Sequence, residues 1–403
     1  MKKNKIAFIH TNIGDNLGGG GAQRFFINIF KKYYCQKTQE NDLYFITDEK
    51  SYNNYIKSNF LSQKVKKKYF IKLQTFNNRF KHVLENVYFL KLLLFKKIDL
   101  VHICQYYHHD FYHLIKFINR LPLFIKPKIV VNFIHCNFPY EYLDKSHPNY
   151  NIFHNRFDPL FNNVKIDAIY SWYEYFKIFA EKENLFKHPT FIHAISTYCC
   201  HSDKFYPEKV KENLFIYASR LDNQKNPMML LEAVKLLKAQ ENTLLNGWNF
   251  IICGNGPLKS EISEFINTNN LNHIIQLEQN INDMSIYLNR SKCFISTQNY
   301  ENFTSLSMNE ALASGNAIIS RNVGQTYFYV KDGLNGYLIN EDSISSLAKT
   351  IIKYLKNQKL HTKMQEASYE LSVKTHNFSN FINEIQFFWG RVLQNQKYNH
   401  ENK

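Results

Sequence analysis

Short apolar runs rich in β-branched and aromatic residues alternate with segments of helical periodicity, and this alternation occurs twice along the chain. The first set of runs is KIAFIH, DLYFIT, DLVHIC, KIVVNFIH and DAIYS, and the second is LFIYAS, NFIICG, HIIQL, CFIST and AIISR. Strands that alternate with helices form parallel sheets, because a parallel connection needs a crossover that a helix supplies. The sequence therefore predicts an α/β protein with two doubly wound parallel sheets.

The length of 403 residues also favours two domains, because single hydrophobic cores stop growing beyond roughly 250–300 residues. We expect a Rossmann-like domain at residues 1–205 and a second one at residues 206–377. The last segment, residues 378–403, contains FSNFINEIQFFWGRVLQ and predicts a helix capped by Ser379 or Asn380.

Charge and cysteine usage narrow the functional classes. Fifty Lys and Arg residues against 34 Asp and Glu residues give a net charge of +16, which favours an anionic partner such as a phosphorylated substrate or an acidic membrane surface. The seven cysteines show no CxxC spacing, which is typical of buried thiols in a reducing compartment. No apolar run is long enough for an export signal or a membrane span, so we expect a cytoplasmic protein.

Four glycines, Gly18 to Gly21, follow the first predicted strand and precede a helix. Glycine allows backbone N–H groups to approach a phosphate at a helix N-terminus. No Gly-Lys-Ser/Thr follows, and Gln23 or Arg24 stands where the dinucleotide fingerprint needs its third glycine. Asp48, after the second predicted strand, keeps dinucleotide binding open, and a flexible turn is a further alternative.

Two loops in the second half also follow predicted strands. In SRLDNQKNP, Arg220 and Lys225 precede a helix opened by Asn226 as its cap, which suits a diphosphate or a solvated charged turn. In ICGNGPL, Gly254 and Gly256 suit a close backbone approach to a ligand or an ordinary turn. Ligands of open parallel sheets bind beyond the carboxyl ends of strands, so both loops are candidate contacts.

The segment ENFTSLSMNEALASG carries two glutamates, Glu301 and Glu310. Ser307 and Glu310 have the spacing of a capping box, and Gly315 has the position of a glycine that ends the helix. Capping leaves Glu301 unexplained. A carboxylate beside the amides of a helix N-terminus could accept hydrogen bonds from sugar hydroxyls while the amides hold a phosphate.

Taken in order, GGGGAQR, IDLVHI, NFIH, SRLDNQKNP, ICGNGPL and ENFTSLSMNEALASG with NVGQTYFYVKDGLNGYLI resemble family 4 glycosyltransferases. The resemblance is most specific in the second half of the chain. It implies the GT-B fold, in which two Rossmann-like domains face one another across a cleft and the last helix returns to the first domain. It also implies transfer of a sugar from a nucleotide-diphosphate donor with retention of configuration, and no bound metal or other cofactor.

The resemblance assigns roles to particular residues. Arg220 and Lys225 match the cations that neutralise the donor diphosphate. Glu301 matches the acid expected at the donor sugar, Glu310 the acid expected at the ribose, and His135 the histidine that points towards the reaction centre. Further donor contacts are expected from Gly20, Gly21, Gly254, Asn302, Phe303, Thr304, Ser305 and Leu306.

The spacing of the two acids departs from the family pattern. The family has seven residues between its glutamates, whereas Glu301 and Glu310 enclose eight, and the position that gives seven is Asn302. The order Glu-x-Phe in ENF favours Glu301 as the first acid. Replacement of that acid by Asn302 remains the alternative.

A basic and aromatic segment in the first half of the chain is a candidate membrane contact. Residues 63–97 mix lysine clusters with Phe, Tyr and Leu, which suits either a helix on an anionic membrane or a helix with a solvated lysine face. The resemblance implies a lipid-linked or cell-surface glycan acceptor, as in lipopolysaccharide synthesis, and a peripheral location at the inner face of the plasma membrane. We expect no nucleic-acid partner, because no recognition motif accompanies the charge. An NAD(P)-dependent oxidoreductase and a catalytically silent sugar-binding protein are the alternatives.

Overall fold

The computed structural model describes residues 3–10, 21–35, 40–56, 62–73, 81–104, 109–135, 138–199 and 203–394. The chain divides into two compact units. The first comprises Met1–Ile195 together with Ile382–Lys403, and the second comprises Ser196–Phe381.

The first unit is built on a parallel sheet. Its strands are β1 (Lys5–Ile9), β2 (Asp42–Thr47), β3 (Phe70–Lys72), β4 (Leu100–Ile103), β5 (Lys128–Phe133), β6 (Ala168–Ser171) and β7 (Phe191–Ala194). They lie in the order β3-β2-β1-β4-β5-β6-β7, and every neighbouring pair is parallel. The order reverses between β1 and β4, as expected for a doubly wound sheet.

Helices cover the strands of the first unit. They are α1 (Gly21–Cys35), α2 (Glu49–Ile56), α3 (Gln63–Tyr69), α4 (Lys81–Lys96), α5 (His109–Asn119), α6 (Phe138–Leu143), α7 (Tyr150–Asn162) and α8 (Glu174–Lys182). Strands β1 and β4 are almost wholly buried, because a parallel sheet covered by helices on both faces has no face exposed to water.

The second unit repeats this architecture. Its strands are β8 (Glu212–Ala218), β9 (Asn249–Cys253), β10 (Ile275–Glu278), β11 (Ser291–Ser296), β12 (Ala317–Arg321) and β13 (Gly336–Ile339). They form a parallel sheet in the order β10-β9-β8-β11-β12-β13, which reverses between β8 and β11. The prediction of two doubly wound parallel sheets is therefore confirmed.

The helices of the second unit are α9 (Pro227–Glu241), α10 (Lys259–Thr268), α11 (Ser285–Leu288), α12 (Leu306–Ala313), α13 (Ile344–Lys356) and α14 (Gln358–Lys374). Helix α9 packs against α10 and α13, and α12 packs against α14. The buried core between the sheet and α9, α10 and α13 includes Leu230, Val234 and Ile351.

A last helix, α15 (Phe378–Leu393), crosses the division between the units. Its cap is Asn377, whose Oδ1 accepts a hydrogen bond from the backbone N–H of Asn380 at 2.8 Å. The predicted caps Ser379 and Asn380 are therefore wrong, since both lie inside the helix. Within the first unit, Trp389 donates from Nε1 to Nδ1 of the buried His102 at 3.1 Å.

The three strands that the sequence did not predict are β3, β7 and β13, and each lies at the edge of its sheet. These strands have only three or four residues, and each has half-buried positions. Edge strands need fewer apolar residues than central ones, so their sequences resemble those of loops.

Candidate active site

A small polar recess lies at the carboxyl ends of β8 and β11, where the strand order of the second sheet reverses. Ligands of open parallel sheets bind at this point, because the connections on either side of it leave the sheet in opposite directions. The residues that line the recess are Tyr217, Ala218, Ser219, Lys225, Phe294, Ile295, Ser296, Gln298, Ser305 and Ser307.

The loop after β8 holds Lys225 through its backbone. The N–H of Lys225 donates to Oδ1 of Asp222 at 3.0 Å, and its carbonyl accepts from the hydroxyls of Tyr217 at 2.8 Å and Thr297 at 3.1 Å. Asn226 has the left-handed backbone conformation, with φ +51°, and takes the N-cap position of α9 without a side-chain capping bond. The predicted position of Asn226 is confirmed, whereas its side chain bonds Asn299 instead of the helix.

The two predicted cations differ in their surroundings. Lys225 is half-buried, lines the recess, and donates from Nζ to Oε1 of Gln298. The side chain of Arg220 is 65% exposed and forms an ion pair with Asp222, from Nε to Oδ2, at 2.7 Å. Only Lys225 of the two therefore lies in the recess.

Helix α12 directs its N-terminus towards the recess, which Ser305 and Ser307 line. Ser305 is the N-cap, and its hydroxyl accepts from the N–H of Met308 at 3.4 Å. The predicted capping box of Ser307 and Glu310 is therefore wrong, because the helix begins two residues earlier than that motif requires. The backbone of Gly315 has φ +64° directly after the last turn, which confirms its predicted role at the helix end.

Glu301 is buried and lies against backbone amides. Its Oε1 accepts from the N–H groups of Phe303 and Gln325, each at 2.8 Å, and Oε2 lies 3.0 Å from the latter. A Cβ atom at Gly324 would be 2.2 Å from Oε2, so the absence of a side chain there makes room for the carboxyl. Burial raises the pKa of Glu301 to about 7, although the amides and the charge of Lys225 oppose this shift.

Asn302, the alternative to Glu301, is fully buried. Its Oδ1 accepts from Ser296 Oγ at 2.7 Å and from Gln298 Nε2 at 2.6 Å, and its Nδ2 donates to Ser320 Oγ at 2.8 Å and Thr326 Oγ1 at 2.9 Å. The amide thus joins the ends of β11 and β12, and protein groups supply hydrogen-bond partners for both its oxygen and its nitrogen. This arrangement gives Asn302 a structural role and favours Glu301 as the first acid.

Thr304 has φ +65° between Phe303 and the cap of α12. A β-branched residue in this conformation is a backbone outlier, because its Cβ crowds the following carbonyl. Such strain concentrates at functional sites, where the surrounding structure holds it.

The glycines of the ICGNGPL loop allow close backbone contacts within the second unit. A Cβ atom at Gly254 would lie 1.9 Å from the carbonyl oxygen of Ser219, and one at Gly256 would lie 2.3 Å from that of Leu221. The two glycines therefore let their backbone pack closely against the loop after β8, and this contact supports that loop. Helix α10 begins at Lys259 rather than directly after these glycines.

The predicted site residues of the first unit are Gly20, Gly21 and His135. His135 follows β5 and packs its ring against Phe133, Phe153 and Phe157, with centroids 5.0 to 5.5 Å apart. Gly20 lies outside the described residues, and Gly21 begins α1. The role of Gly21, like the roles of His135, Arg220, Glu301 and Glu310, stays a prediction.

Asp48, which kept dinucleotide binding open, has a local explanation. Its two carboxylate oxygens accept from the backbone N–H of Ser51 at 3.0 Å and the hydroxyl of Ser51 at 2.7 Å. Asp48 therefore caps α2, and its position after β2 does not by itself indicate a ribose contact.

Sequence reasoning missed Gln298 and Asn299, which follow β11 directly. Gln298 bonds Lys225 and Asn302, and Asn299 donates from its backbone N–H to the carbonyl of Gln224 at 2.9 Å. In a chain so rich in asparagine and glutamine, residue type carried no signal. Their position after a central strand was the one available indication.

Several known proteins are similar to this chain. Residues 201–371 match the family model described as glycosyl transferases group 1. An Escherichia coli protein named UDP-Gal:alpha-D-GlcNAc-diphosphoundecaprenol alpha-1,3-galactosyltransferase is 29% identical over 147 residues, which are 36% of this chain and 37% of that protein.

Two solved structures resemble almost the whole chain. A glycosyltransferase from Rickettsia africae has a TM-score of 0.67 at 15% identity and covers 98% of this chain and 100% of its own. HepE of Anabaena, solved with UDP and glucose, has a TM-score of 0.66 at 12% identity, with coverages of 96% and 99%. At these identities the likeness concerns the fold.

The aligned segments span less than half the length of the curated relatives, from 14% to 44%. The family match lies within the second half of the chain and includes β8 to β13, with the recess between β8 and β11. The chain has the GT-B fold, and its residues 201–371 match the family model of the group 1 glycosyltransferases.

Proposed function

We propose that this protein transfers a sugar from a UDP-sugar to a glycan acceptor, and that its second unit binds the donor. The observation that carries the proposal is the recess at the reversal point of the second sheet, where the ammonium group of Lys225 and the N-terminus of α12 meet. A lysine beside a helix N-terminus is a strong site for a diphosphate. HepE of Anabaena was solved with UDP, and the Escherichia coli relative is named for a UDP-sugar, which favours uridine as the base.

The mechanism follows from the charge on the leaving group. Departure of a nucleoside diphosphate builds negative charge, and a cation and helix amides stabilise that charge more in the transition state than in the bound donor. Lys225 and the N-terminus of α12 would supply this stabilisation, with Arg220 reaching the outer oxygens. We infer retention of configuration, with the acceptor attacking on the face that the diphosphate leaves.

Three further residues have roles in the proposal. Glu301 would contact the donor sugar and Glu310 the ribose, with His135 of the first unit at the sugar. We infer that no divalent metal is needed, because a half-buried lysine and a helix N-terminus already provide positive potential in the recess.

A nucleotide panel tests the donor. We expect UDP to raise the melting temperature of the wild-type protein more than GDP, ADP, CMP, NAD or NADP, and the Arg220→Ala/Lys225→Ala variant to lose this response. Slow hydrolysis of a UDP-sugar, unchanged by EDTA, would separate an active enzyme from a silent binding protein. A response to NAD or NADP alone would contradict the proposal and favour an oxidoreductase.

The acceptor side suggests a lipid-linked substrate. Within the described residues, no helix is long and apolar enough to cross a membrane. Helix α4 nevertheless exposes Val83, Val87, Leu94 and Phe95, and Phe95 is 87% exposed. Together with Lys91, this mixed face suits the interface of an anionic membrane better than a solvated lysine face does. The name of the Escherichia coli relative includes a diphosphoundecaprenol acceptor.

Vesicle flotation tests this surface. We expect the protein to float with vesicles that contain phosphatidylglycerol, and Leu94→Ser/Phe95→Ser to weaken binding about 100-fold or more, because each buried apolar side chain contributes roughly 1.5–3 kcal/mol. Ile178→Ser is the matched control, since Ile178 is a 58% exposed apolar residue on α8 of the same unit. Equal binding by all three proteins would exclude α4 as the membrane contact.

A further inference from the structure

The ammonium group of Lys225 must be fixed in the recess if it is to stabilise a leaving diphosphate. A lysine side chain has four rotatable bonds, so an unsupported ammonium group samples many positions. In the structure, Nζ of Lys225 donates to Oε1 of Gln298, and the side chain of Gln298 is nearly fully buried beneath it. This hydrogen-bond partner of the cation is a neutral amide.

The amide of Gln298 is itself fixed from the other side. Its Nε2 donates to Oδ1 of Asn302 at 2.6 Å. Asn302 in turn donates to the hydroxyls of Ser320 and Thr326, which belong to β12 and to the turn after it. Because Nε2 has this acceptor, Oε1 of Gln298 is the atom that faces Lys225.

We propose that Gln298 is a positioning residue, which holds the ammonium group of Lys225 at the diphosphate subsite through the chain Lys225–Gln298–Asn302. This inference rests on the proposed function and adds to it a residue that touches the cation rather than the donor. An amide suits the role better than a carboxylate, because a carboxylate would neutralise Lys225 and weaken its attraction for the diphosphate.

Binding of UDP and uridine separates positioning from general support of the fold. We expect Gln298→Met, which keeps the volume of the side chain, to weaken UDP binding about 10-fold, since hydrogen bonds to charged groups contribute roughly 1.5–3 kcal/mol. Uridine lacks the diphosphate, so its binding, followed by NMR, should not change. Gln365→Met is the matched control, because Gln365 is a half-buried glutamine of α14 outside the recess.

A double-mutant cycle tests whether Gln298 acts through Lys225. In a Lys225→Met background, Gln298→Met should cause no further loss of UDP affinity. Gln298→Glu, which retains an acceptor oxygen for Lys225, should weaken UDP binding as well, because it adds negative charge to the recess. This variant gives a second comparison if Gln298→Met folds poorly.

The outcomes are distinct. Equal losses of UDP affinity from Gln298→Met with and without Lys225, or equal losses for UDP and uridine, would overturn the positioning role and leave the proposed function standing. If Lys225→Met alone does not change UDP affinity, the diphosphate site itself is misplaced, and the inference fails together with the proposed function.

Discussion

Replacing Lys225 by methionine is expected to lower the turnover number of the enzyme by about 100- to 1,000-fold, the range found when one preorganised donor to a developing negative charge is removed. Lys225 lines the recess at the N-terminus of α12 and is half-buried. Its charge is therefore screened less than that of a cation in water. The Michaelis constant for the donor should rise much less, because the bound donor carries less charge on the bridging oxygen than the transition state does.

Arg220 provides the comparison within the same loop. Its side chain is 65% exposed and already paired with Asp222, so Arg220→Met should lower turnover only about 10-fold, as expected for a screened charge. Lys204→Met is the control, because Lys204 is an exposed cation of the same unit that pairs with Asp283 at 2.6 Å and does not line the recess. A larger effect from Arg220 than from Lys225 would mean that the diphosphate lies outside the recess.

The different surroundings of Arg220 and Lys225 could not be predicted from the sequence. The spacing of Arg220 and Lys225 after a strand suited either two contacts to a diphosphate or a solvated charged turn. The environment of Lys225 depends on Gln298, which lies 73 residues further along the chain and accepts a hydrogen bond from its ammonium group. Local sequence cannot encode such a partner, because the parallel sheet brings together the ends of strands that are far apart in the chain.

The central strands were predictable for a related reason. Strands such as β8, β9, β11 and β12 are buried on both faces and read as continuous apolar runs. The start of α12 was not predictable in the same way. Both Ser305 and Ser307 are good capping residues, and the choice of Ser305 accompanies the left-handed backbone at Thr304, which local propensity disfavours.

The pKa of Glu301 leads to the second large effect, on the pH dependence of stability. Burial raises this pKa to about 7 in the folded state from 4.5, so the folded protein retains a proton that the unfolded chain releases between these values. The contribution of this proton to stability is fully present below pH 4.5 and is lost as the pH rises through about 7. Ionised Glu301 should therefore reduce the free energy of unfolding by about 3 kcal/mol at pH 8 relative to pH 4.

Glu301→Gln should remove this dependence. The amide oxygen of glutamine can still accept the hydrogen bonds of Phe303 and Gln325, and no charge is buried at any pH. We therefore compare the free energy of unfolding of the variant with that of the wild type at two pH values. The advantage of the variant should be about 2 kcal/mol larger at pH 8 than at pH 5. Hydrogen exchange of amides in β11 and β12 reports the second unit separately, so unfolding of the first unit does not enter the comparison.

Glu264→Gln serves as the control, because Glu264 is an exposed carboxyl on α10 of the same unit. Its stability should follow that of the wild type at both pH values. If Glu301→Gln also follows the wild type, then the amides of Phe303 and Gln325 and the charge of Lys225 together outweigh burial, and Glu301 is ionised at neutral pH. In that case Glu301 would act only as a hydrogen-bond acceptor for sugar hydroxyls. The expected result instead means that the carboxyl of Glu301 is largely protonated below about pH 7.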